Sequence, residues 1–124
     1  MKVYNRTKHL LLSGDAIFAG SFGERRRGLS GRGECSDLVL ASSHDTLVGC
    51  VIHMVGMEYP IDVAWVDGKG VVVGVRRRVP AFSLLRPSTW RFYWPNRPAR
   101  YVVELGKGGL GTTEVGDEIE LKKD

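Results

Sequence analysis

The chain has 124 residues, of which 43% are hydrophobic and 26% charged, and a formal net charge of +4. That is one domain's length, enough to bury roughly two-thirds of the surface exposed by the unfolded chain without disulfide or metal staples. No apolar run approaches the ~20 residues of a membrane helix. Asp15 interrupts the apolar stretch that a signal peptide would need after Lys2, Arg6 and Lys8. These limits point to one soluble, cytoplasmic domain spanning residues 1–124. The two cysteines, Cys35 and Cys50, are then most simply unpaired.

Sixteen glycines suit a fold of many tight turns, mostly β rather than helical. In chain order, Val3 to Leu12 reads as an opening β unit turning at Asn5-Arg6-Thr7-Lys8, and Ala16 to Ala19 as a short strand. Ser21 followed by Glu24 is a capping box, which predicts a helix to about Leu29 ending near Gly31 or Gly33. Leu38 to Ala41 reads as a strand, Ser42 to Asp45 as a loop, and Val51 to Met54 as the start of a central crossing.

The central hairpin follows. Tyr59, Ile61, Val63 and Trp65 alternate with smaller or polar residues, the period of a strand with one strongly buried face. A Gly68-Lys69-Gly70 loop with glycine in the left-handed position sets Asp67 opposite Val71 and Trp65 opposite Val73. Val71, Val73 and Val75 then join Trp65 on one face. Pro80 bars a simple continuation. Phe82 to Pro98, rich in aromatics and prolines, reads as an excursion or irregular edge hairpin. Tyr101 to Leu105 is a strand, Lys107 to Thr113 holds at most one weak helical turn, and Glu118 to Leu121 is a last strand. The predicted architecture is mostly β (α+β): a compact, antiparallel, partly open barrel-like sheet with one or two short helices.

Two constellations are candidates for chemistry. Cys35, His44, Cys50 and His53 include a Cys-x-x-His spacing, but the set matches no zinc module, and inert thiols are the simpler reading. Arg25, Arg32, His53, Met57 and Asp62 form the second set. A mid-strand carboxylate at Asp62 invites a cationic partner, because burying it alone is costly, and Arg25 or Arg32 on the predicted helix would supply it. The structural reading is a fold-fixing polar network. The functional reading is a polar pocket in which the arginines grip a carboxylate or phosphate and His53 titrates near neutrality.

Arg25-x-x-Gly28-Leu29-Ser-Gly-Arg32 resembles the Arg-x-x-Gly-Leu-Met-x-Arg motif of the family called domain of unknown function 192. The resemblance continues through Ile52-His53-x-x-Gly56-Met57, Pro60-Ile61-Asp62-Val63-x-Trp65-Val66-Asp67, Gly70-Val71-Val72, Tyr101-Val-Val-Glu104-Leu105 and Gly116-Asp117. It implies a compact, mostly antiparallel β fold with a short helix, like a partly open barrel. The family has no established activity, so the resemblance supplies no catalytic residues. Ser30 stands where the family often has Met. The glycine-rich Lys107 to Gly111 stands where members usually show a better helix, and Trp90 to Trp94 is longer than expected.

The leading expectation is a non-enzymatic module that binds a small anionic ligand or a partner through Arg25, Arg32, His53, Met57 and Asp62, with no metal or cofactor. One alternative is a small enzyme using His53 and Asp62 as acid and base. Another is a single-stranded nucleic-acid binder, suggested by Arg76-Arg77-Arg78 and the aromatics near Arg91, Arg97 and Arg100. The mild net charge counts against it. Trp90 to Trp94 is a candidate homodimer surface.

Overall fold

The structure, a computed structural model, describes residues 1–20, 36–47, 52–53, 59–80 and 92–123. Ten strands run through these segments: β1 Lys2–Asn5, β2 Leu10–Ser13, β3 Ile17–Ala19, β4 Asp37–Thr46, β5 Ile52–His53, β6 Ile61–Val66, β7 Val72–Val79, β8 Phe92–Tyr93, β9 Ala99–Leu105 and β10 Ile119–Lys122. They form a five-stranded sheet in the order β3-β4-β9-β6-β7, a three-stranded sheet β10-β1-β2 and a two-stranded ribbon β5-β8. All pairings are antiparallel except β3 with β4. The fold is mostly β, as expected, with open sheets rather than a closed barrel.

The predicted helix from Ser21 lies outside the described residues. Lys107 to Thr113 forms turns, and no helix occurs among the described residues. Ser42 to Asp45, expected as loop, instead extends β4, with an irregular register between Ala41 and Thr46.

The hydrophobic interior has two layers, one on each face of the five-stranded sheet. Val39, Ala64, Val66, Val72, Val103 and Leu105 pack against Val3, Leu12 and Ile119 of the three-stranded sheet. On the other face Leu38, Ile61, Val63, Trp65, Val73, Val79 and Val102 cluster with Tyr59 and Tyr93. The period-two argument therefore found the Trp65 face but missed its counterpart. Ala64 and Val66 are as buried as Trp65, each at 1% exposure, because β6 lies between two layers.

The hairpin loop closes as the sequence suggests. The Asp67 amide donates to the Val71 carbonyl at 2.9 Å, and Gly70 takes φ 89°, a conformation that costs glycine little. The register beyond it does not. A bulge after Val72 sets Trp65 opposite Gly74 instead of Val73. The extra residue keeps Val73 on the Trp65 side and moves Val75 to the other layer. The Trp65 ring occupies the room that Gly74 leaves: a Cβ there would lie 3.2 Å from its Cε3.

Candidate anion site

Asp62 is half-buried, and among the described residues its carboxylate holds backbone amides. Oδ1 accepts the Arg78 amide and Oδ2 the Leu110 amide, both at 2.8 Å. Gly109 passes so close, at φ 128°, that a Cβ would stand 2.9 Å from Oδ2. Asp37, at 3% exposure, does similar work at the end of β9, where its Oδ1 accepts the Gly106 and Lys107 amides at 3.0 Å each. Two carboxylates thus fold the 106–110 segment without a helix. Arg25, Arg32 and Met57 lie outside the described residues. His53 is placed by its backbone on β5, opposite Phe92. Cys35 and Cys50 also lie outside the described residues, and His44 is exposed on β4. Among the described residues, no three His, Cys, Asp or Glu side chains gather as a metal site.

A further carboxyl is buried, with no ion pair among the described residues. Glu104 lies mid-strand on β9, opposite Leu38 on one side and Val63 on the other, both in the Trp65 layer. It is 6% exposed, and burial among these neighbours raises its carboxyl from 4.5 to about 7.

Cations are concentrated elsewhere. Where the five-stranded and three-stranded sheets diverge, a cleft of about 300 Å³ opens into the layer between them. Its lining comes from Phe18 on β3, Ala41 and Ser42 on β4, Arg100 and Tyr101 on β9, Leu121 on β10, and Met1 and Lys123 beside them. Phe18, Tyr101 and Leu121 pack at the border of the intersheet core, so the floor is apolar. The Arg100 guanidinium lies 5.7 Å from the centroid of the Tyr101 ring, and its Nε donates to the Ser42 carbonyl at 3.3 Å. The Lys123 Nζ lies 4.9 Å from the centroid of the Phe18 ring. These contacts hold both cations over aromatic faces, which attract positive charge. Among the described residues, no Asp or Glu lines the cleft.

The pattern of the DUF192 family, described as uncharacterized ACR, matches residues 4–121. The chain belongs to the DUF192 family. A UPF0127 protein of Pyrococcus furiosus is 32% identical over 121 residues, covering 96% of this chain and 97% of that one. Another, from Thermococcus sibiricus, is 33% identical over 119 residues, covering 94% of this chain and 71% of that one. A crystal structure of a protein of unknown function from Novosphingobium aromaticivorans superposes with a TM-score of 0.75 at 18% identity, over 97% of this chain and 82% of that one. At that identity the likeness establishes the fold alone. No helix among the described residues of this DUF192 member is long and apolar enough to cross a membrane.

Sequence reasoning counted Arg100 among the basic residues but passed over Phe18 and Lys123. The available signal was the Arg100-Tyr101 pair entering a strand. Its partners come from β3 and the end of β10, far away in sequence, and only the packing of the two sheets gathers them.

Proposed function

We propose that this DUF192 protein is a non-enzymatic binding module for a small amphipathic anion, seated in the cleft between the two sheets. The observation that carries this reading is the juxtaposition of Arg100 and Lys123 with the apolar surfaces of Phe18, Tyr101 and Leu121, with no lining carboxylate among the described residues. A carboxylate or phosphate head would meet the terminal nitrogens of Arg100 and the Lys123 ammonium. An apolar or aromatic body would lie against Phe18, Tyr101 and Leu121. About 300 Å³ is at the small end of ligand sites, which suits a ligand of few atoms.

The acid–base alternative through His53 and Asp62 has less support, since both Asp62 oxygens already accept backbone amides. The nucleic-acid alternative is weakened at Arg77, whose Nη2 donates to the carbonyls of Gly111 and Thr113. The test is thermal unfolding in the presence of inorganic phosphate and a series of short aliphatic and aromatic carboxylates. A ligand at a hundred times its Kd stabilises by about 2.7 kcal/mol, a rise of roughly 10 °C for a domain of this size. The rise is expected for an aromatic or branched carboxylate and is expected to vanish in the Arg100→Gln/Lys123→Gln double variant. A series that leaves the melting temperature unmoved, or a rise that survives in the double variant, refutes the proposal.

A further inference from the structure

The outer edge of β7 has a different surface. Among the described residues β7 ends the five-stranded sheet, so one side of its backbone has no neighbouring strand along most of its length. Its first residue is already engaged: the Val72 amide donates to the Asp117 carbonyl, and its carbonyl accepts from the Gly116 amide, both at 2.9 Å. Backbone groups of an antiparallel strand alternate between its two sides. Beyond the bulge at Val73, this alternation turns the N–H and C=O of Val75 and Arg77 outward.

A shallow groove of about 160 Å³ is lined by Gly74, Val75 and Arg76 of β7 together with Trp94, Pro95 and Val115. Trp94 is 58% exposed and Val115 54%, both large apolar residues presented to solvent. Arg76, Arg77 and Arg78 are all exposed. Arginines alone are a common guard against edge-to-edge aggregation. Here Arg76 stands beside an exposed tryptophan, a residue type that dominates interface energetics.

We infer that the β7 edge docks an extended segment of a partner protein as an added strand, with apolar and acidic side chains on the face that meets Gly74 and Arg76. Main-chain bonds to Val75 and Arg77 would set the register. Apolar side chains on that face of the added strand would fill the groove at Trp94, and a carboxylate on the same face would pair with Arg76. A second copy of this chain is a poor occupant. A symmetric pairing of two β7 edges brings the same three arginines together, and like charges across a strand pair are destabilising.

The test uses an array of short, end-blocked peptides that set Val, Ile or Phe two residues from Glu or Asp, and a matched array carrying Lys in place of the acids. Binding is read by peptide-array signal and by the amide resonances of β7. Acidic members are expected to bind at low salt and the Lys array to fail. Val75→Pro removes the outward N–H and is expected to abolish binding. Arg76→Glu, at an exposed position, is expected to weaken acidic peptides by about tenfold or more. Thermal melting confirms that both variants fold, and Arg76→Glu alone decides the question if the proline variant does not. Failure of every acidic peptide at low salt, equal binding of the Lys array, or binding indifferent to Arg76→Glu overturns the inference. So does a concentration-dependent dimer that Val75→Pro dissolves.

Discussion

Glu104→Gln is expected to stabilise the protein at pH 8 and to change little at pH 5. The carboxyl sits between Leu38 and Val63 on the apolar face of the central sheet, and burial raises it from 4.5 to about 7. In the unfolded chain the same group ionises near its ordinary value. Between these two values the folded protein holds a proton that the unfolded chain has released, so stability falls as pH rises. The stabilising contribution is fully present below about 4.5 and lost once pH passes about 7. A shift of this size corresponds to about 3 kcal/mol, a large part of the stability of a small domain.

The assay is urea unfolding of wild type and Glu104→Gln at half-unit steps from pH 5 to pH 8. The wild-type free energy is expected to fall by about 2.5 kcal/mol more than that of the variant across the range. Comparing the two proteins step by step cancels every other titrating group. Asp117, for example, is held below its ordinary 3.8 and acts only at lower pH. Parallel curves for the two proteins, or a wild-type curve without slope, would show that Glu104 ionises freely in the fold and would refute the argument from burial.

Other expectations concern the polar joints of the fold. Asn5, fully buried, donates from Nδ2 to Thr113 Oγ1 and Asp117 Oδ2, both at 2.9 Å, and its Oδ1 accepts the Lys8 amide. Asn5→Ala orphans these groups and is expected to cost about 2–3 kcal/mol in urea unfolding. Burial alone would raise Asp117, but hydrogen bonds from Asn5, the Glu114 amide and Lys8 hold it below 3.8. Its contribution is therefore present above 3.8 and lost as pH falls through the lowered value, so Asp117→Asn is expected to flatten the acid limb of the stability profile. Trp65→Ala empties the largest fully buried side chain, at an expected cost of about 3–5 kcal/mol measured by the same unfolding. Asp62→Ala leaves the Arg78 and Leu110 amides without their acceptor. A loss of about 2 kcal/mol is expected, together with faster hydrogen exchange at both amides.

Local rules made part of this fold legible. The Asn5 to Lys8 turn, the strand into Leu105 and the Gly68 to Gly70 loop follow from alternation and turn chemistry, and all three occur. What escaped was each feature set by a neighbour distant in sequence. The bulge at Val73 depends on Trp65 needing the space above Gly74. The second buried face of β6 depends on a three-stranded sheet assembled from both ends of the chain. A pattern of period two registers burial on one face and stays silent when a small residue such as Ala64 is buried on the other.

Asp62 shows the same limit in chemical form. A carboxylate in mid-strand reads as inviting a cationic partner, Arg25 or Arg32, both of which lie outside the described residues; within these, its partners are backbone amides. Backbone amides serve as well, and every loop has them, but no residue letter marks which will be free. The glycines of 106–111 were the trace of that answer. They make the segment a poor helix, and at Gly109 they let it approach the Asp62 oxygen more closely than any side chain would allow. The proposed anion site rests instead on Arg100 and Lys123, which among the described residues form no ion pair with a carboxylate and each rest over an aromatic ring.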